Sequence, residues 1–154
     1  MSNVNRIVSK GEGKSSQACL WIGGDALRPD QISAILGLEP TQSGVKGERY
    51  GPRHNLVRRA SFWLLKCPLS DRLPLAKHLK WLLDLFEPKL DLINSIAKGS
   101  TVMFFCGFSS ENGQGGVTFD PTLLSRLANF GILFVLDLHL PEAEVEVHEE
   151  LPLG

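Results

Sequence analysis

No stretch of this chain approaches the ~20 consecutive apolar residues of a membrane-spanning helix, so no membrane span is expected. The N-terminal MSNVNRIVSKGEGKSS has no apolar core and does not read as a signal peptide. Cysteine is scarce and odd in number, with Cys19, Cys67 and Cys106 and no CxxC pair. That spacing speaks against a metal site or a disulfide framework and for reduced, buried thiols in the cytoplasm. Neither sign of charge dominates, since 16 Lys and Arg against 17 Asp and Glu leave a net charge of -1. A balance of that kind gives no global reason to expect nucleic acid or an anionic membrane as partner, so any electrostatic site must be local. Nucleophile-elbow, zincin, kinase and dinucleotide signatures are also missing, and nothing calls for a cofactor or a catalytic residue. Gly13-Lys14-Ser15 ends like a phosphate-binding loop, but Val8 stands where that loop needs glycine.

What is present suits one globular domain of 154 residues, 43% apolar and 21% charged, large enough to bury a core. The expected division is a disordered arm at 1–16, a single α+β domain at 17–141 and an acidic tail at 142–154. In that tail His148 lies among Glu146, Glu149 and Glu150, which reads as solvated rather than metal-binding. The centre of the domain is TVMFFCGF, residues 101–108, which reads as a strand. Alternation puts Val102, Phe104, Cys106 and Phe108 on one face, Met103 and Phe105 on the other. Both faces are apolar, which predicts an interior strand covered on two sides.

Further strands are expected at 17–24, 60–67 and 132–140, with a short one at 117–119 after the Asn112-Gly113 turn. A helix starts at Pro29, with Ile32, Ile35 and Leu36 inward and Gly37 as its stop. Residues 73–98 are helical and broken at Pro88. Asp120 caps a last helix with Leu123, Leu124, Leu127 and Phe130 inward and Gly131 as its stop. The helical pair at 73–98 is expected on the sheet face opposite the helices that begin at Pro29 and Pro121.

Those two helices share the pattern P-x-x-[I/L]-S-x-[I/L], at residues 29–35 and 121–127, each between two strands. The fold expected from this repeat is ferredoxin-like: two β-α-β halves with the helical pair inserted between them, first and third strands central. Ser33 and Ser125 read as helix residues, not nucleophiles. Several features in order then resemble a known family: residues 36–41 (LGLEPT), Lys46-Gly47-Glu48, Phe62-Trp63-x-Leu65, Trp81-Leu82-Leu83 and Leu136-Asp137. The chain resembles the bacterial family called domain of unknown function 4279 over 18–141, departing from it at His139, where the family usually carries an aromatic residue. The resemblance implies a small bacterial α+β domain and brings no activity and no catalytic residues.

One local feature carries charge. Residues 42–57 show no periodicity, a loop of unusual length for a compact domain. The segment to residue 59 carries Lys46, Arg49, Arg53, His54, Arg58 and Arg59 against one acid, Glu48, with Tyr50 as a stacking surface. Lys46, Arg49, Tyr50, Arg53, His54 and Arg58 are therefore the candidate binding residues. Against this stands a merely solvated loop, or arginines paired with Asp137 or the acidic tail. Two classes of function remain open: a non-catalytic interaction protein that grips a protein partner, as immunity proteins do, or a binder or enzyme for a small anionic or phosphorylated ligand. Either a monomer or a homodimer suits both. Asp137 and His139 share one face of the last strand and read as an edge polar face.

Overall fold

The structure, a computed structural model, describes residues 13–140. The expected tail and most of the expected arm lie outside them. Strand β1 (Lys14–Gly24) already begins three residues before the expected domain boundary. It is followed by α1 (Pro29–Leu36), β2 (Gln42–Gly44), β3 (Arg49–Tyr50), β4 (Leu56–Val57) and β5 (Ser61–Lys66). Then come α2 (Leu75–Phe86), a 3-10 turn (Glu87–Lys89), α3 (Leu90–Ala97), β6 (Thr101–Ser110), α4 (Pro121–Phe130) and β7 (Leu133–His139). The fold is α+β, with one five-stranded sheet in the order β2-β5-β1-β6-β7 and a separate two-stranded ribbon β3-β4.

Local signals act where expected. The Leu123 N–H donates to Asp120 Oδ1 at 2.7 Å and so caps α4. Gly37 and Gly131 end α1 and α4 in the left-handed conformation that costs other residues steric energy. Pro88 sits in the 3-10 turn that divides α2 from α3. After β6, however, residues 117–119 form no strand, and Val117 and Phe119 instead lean on the core.

β1 and β6 are central, but the edges are not those of a ferredoxin-like sheet. There the second strand would pair with the third and the fourth with the first. Here β5 stays antiparallel beside β1, and β7 parallel beside β6. The two halves also differ in helix phase: Ile32 is buried while its counterpart Leu124 is exposed, and Ile35, expected inward, is exposed as well. The shared P-x-x-[I/L]-S-x-[I/L] pattern thus marks two helix starts of one kind, not two equivalent halves. Ser33 does have a task, because its Oγ accepts from Nε1 of the fully buried Trp63 at 3.1 Å. A buried indole N–H without a partner is costly, so this bond fixes α1 on β5.

The two faces of the sheet are not both covered as expected. Ala18, Leu20, Ile22, Trp63, Leu65, Val102, Phe104 and Cys106 form one cluster with buried residues of all four helices. Registers such as Ile22 with Trp63 and Leu20 with Phe104 put these side chains on one side of the sheet. All four helices therefore cover the same face, including the α2–α3 pair expected on the other. β1 is 11 residues long and β6 10, about 35 Å of strand, whereas the helices run 8 to 12 residues, about 12–18 Å. A face that long has room for four short helices. The opposite face, with Cys19, Trp21, Leu64, Met103, Phe105, Leu133 and Val135, carries no helix, and Phe105 is 39% and Leu133 58% exposed.

Candidate functional site

The basic segment is ordered, not irregular. β2 adds to the free edge of β5, and β3 pairs with β4 through Arg49–Val57 and Tyr50–Leu56. Backbone bonds from Gly47 N to Arg58 O and from Arg58 N to Glu48 O, each 2.9 Å, carry the ribbon down to its base. At its tip Gly51 and His54 take positive φ, and the His54 N–H donates to Gly51 O at 3.1 Å. Two strands of two residues each are too short to show periodicity, which is why this hairpin is silent in the sequence.

Arg58 is the keystone of the ribbon. Its guanidinium carbon lies 4.4 Å from the Tyr50 ring centroid and 5.0 Å from that of Phe62. Gly44 makes this possible, since a Cβ there would run into the Arg58 side chain and the Phe62 ring. Arg58 Nε approaches Glu48 Oε2 at 3.4 Å, an ion pair too long to count as a well-formed hydrogen bond. Lys46 Nζ stands 3.5 Å from Asp25 Oδ2, and the Lys46 N–H donates to Ser61 Oγ at 2.9 Å. Arg49, Arg53, His54 and Arg59 are exposed and make no ion pair with a carboxylate among the described residues. Asp137 is no partner for them: it pairs with His139 at 2.9 Å on β7, at the sheet edge away from β2.

The candidate residues thus divide. Lys46, Tyr50 and Arg58 surround one open depression of about 750 Å³, joined by Arg59, Leu56 and Val57. Arg49, Arg53 and His54 do not line it. Tyr50, Leu56 and Val57 are 37%, 47% and 50% exposed, so the ribbon presents apolar and cationic groups together. No residue of the ribbon belongs to the core cluster.

A second concavity of about 430 Å³ crosses the open sheet face from Gln42 to His139. Its floor is Cys19, Phe105 and Gly107, and above Gly107 a Cβ would meet nothing within 4 Å. Polar groups gather at this end: Gln17, Lys66, the Asp137–His139 pair and the hydroxyls of Ser15 and Ser109, 2.6 Å apart. Burial pushes the Cys19 thiol up to about 11 and that of Cys106, on the core side, to about 12, disfavouring the thiolates. All three cysteines are free, and no helix among the described residues is long and apolar enough to cross a membrane.

The family model for a domain of unknown function (DUF4279) matches residues 14–141. The chain belongs to this family. The match spans every element from β1 to β7, so the DUF4279 unit is the whole sheet with its helices and ribbon. No curated protein matches the chain, and no solved structure does.

Proposed function

We propose that this DUF4279 protein is a non-catalytic binding protein whose β3–β4 ribbon grips an acidic, partly apolar segment of a protein partner. The observation that carries this reading is the union of exposed Tyr50, Leu56 and Val57 with Arg49, Arg53 and Arg59 on a ribbon outside the core. Mixed apolar and arginine surfaces of this kind suit protein interfaces better than small-ligand pockets do. The depression beneath offers a small anion chiefly Lys46, Arg58 and Arg59, and Arg58 is already engaged by Glu48, Tyr50 and Phe62. Three free thiols suit a reducing compartment such as the bacterial cytoplasm, where a toxin held by an immunity protein is one partner of this class.

The test titrates the chain with labelled acidic peptides of mixed apolar content, beside inorganic phosphate, pyrophosphate and nucleotides. Peptides should bind with an affinity that falls as salt rises, and Arg49→Ala with Arg53→Ala should weaken them about tenfold or more. A thermal shift by phosphate compounds alone, lost on Arg59→Ala, would replace the protein partner with a small anion. Peptide binding that ignores all three arginines would move the site off the ribbon.

A further inference from the structure

The open face of the sheet is a second surface with its own logic. Its side chains form rows across the strands: Leu64, Trp21, Met103 and Leu133 in one, Lys66, Cys19, Phe105 and Val135 in the next. Beyond these lie Gln17, Gly107 and Asp137, then Ser15, Ser109 and His139. The face is thus apolar at one end and polar at the other. The Trp21 indole occupies the space that a Cβ at Gly23 would fill. Contiguous apolar patches of several hundred Å² on soluble proteins mark interfaces.

We propose that two copies of the chain stack their open faces about a twofold axis that runs between β1 and β6, parallel to the strands. Two observations select a second copy as the occupant. The first is charge placement. A rotation about that axis keeps each row over its own row but exchanges the sides of the sheet, so β5 of one copy lies over β7 of the other. Lys66 on β5 then stands over Val135, one row from Asp137, and the symmetry makes two such pairs. Facing sheets lie ~10 Å apart with a crossing near 30°, a gap a lysine side chain can bridge. The fully apolar row meets itself, Leu64 over Leu133 and Trp21 over Met103, and in the next row Cys19 stands over Phe105. An axis across the strands through the middle of the face would instead lay apolar rows on polar ones.

The second observation is size. Four strands of 6 to 11 residues span a plane of roughly 500 Å², more than half of the ~800 Å² per partner of a standard interface. The net charge of -1 sets up little repulsion between copies. This contact is independent of the β3–β4 ribbon, which lies outside the five-stranded sheet.

Light scattering and sedimentation over a micromolar concentration series test the proposal on the full chain. The parent should approach twice the 17.0 kDa of one chain. Phe105→Lys should weaken the dimer about a hundredfold or more with an unchanged circular dichroism spectrum. Leu133→Lys, at a more exposed edge position, should do the same and covers the case in which Phe105→Lys misfolds. Lys66→Glu should weaken the dimer about tenfold, and adding Asp137→Lys should restore it. Arg49→Ala with Arg53→Ala should leave it intact, which separates this contact from the ribbon site. A parent monomeric throughout, or a dimer indifferent to Phe105→Lys and Leu133→Lys, overturns the proposal. A charge-swapped double variant that stays monomeric overturns the twofold arrangement.

Discussion

Arg58 spans the space between two aromatic rings, 4.4 Å from the centroid of Tyr50 and 5.0 Å from that of Phe62. Its side chain is only 20% exposed, so it serves to join the ribbon to the sheet rather than to wait for a partner. Arg58→Ala should therefore cost about 1–2 kcal/mol of stability from lost stacking and packing. Arg49→Ala and Arg53→Ala, on exposed sites, should each stay within about 0.5 kcal/mol of the parent. Urea denaturation of the three variants decides this, and equal effects would remove the distinction between structural and binding arginines.

Ser33 and Trp63 give a second test. Ser33→Ala leaves the Trp63 indole N–H buried without an acceptor and should cost about 1–3 kcal/mol. Ser125→Ala, at the matching place in α4 but exposed, should be close to neutral. Comparable losses in the two variants would mean that the serines act through their helices and not through the indole.

Thiol chemistry follows from burial. With Cys19 pushed up from 9.0 to about 11, the native chain holds about a hundredfold less Cys19 thiolate at pH 8 than an ordinary cysteine would. Labelling with a maleimide or disulfide reagent should be slow in the native state and complete in denaturant. The three thiol pKa values are raised on folding, so the stability they contribute is full below about 9 and is lost as pH rises through about 11 for Cys19 and about 12 for Cys106. Cys106→Ala should flatten the alkaline end of the stability curve, and an unchanged slope would count against burial as the cause.

Arg126 ties α4 to the junction of α2 and α3, with Nε 2.6 Å from Glu87 Oε1 and Nη2 2.7 Å from Asp84 Oδ1. Glu87 first, and Asp84 after it, hold the guanidinium in its charged form, its pKa raised. Both carboxylates reach solvent, so Arg126→Ala should cost only about 1 kcal/mol, and less in 1 M salt, where charges are screened over ~3 Å. Melting curves at low and high salt measure both effects. A loss that does not shrink with salt would assign Arg126 a packing role instead.

Local chemistry was legible in the sequence. Strands β1, β5, β6 and β7, the caps at Asp120, Gly37 and Gly131, and the break at Pro88 each depend on residues a few positions apart. The family could likewise be read from motifs in order along 18–141, inside the 14–141 that the family model matches. The ribbon was not legible, because β3 and β4 have two residues each, too few for a period to register. Its charges were legible, but not that Gly44 opens a berth in which Arg58 becomes structural.

The alternation in 101–108 determined that strand β6 has two apolar faces. It could not determine what covers each, because a helix and a second copy of the chain satisfy Phe105 equally well. Which strands become edges, and on which side every helix lies, were decided only when the long β1 and β6 paired into a sheet whose one face could hold all four helices. Hydrophobic burial has no direction along the chain, so the choice of face belongs to tertiary packing alone.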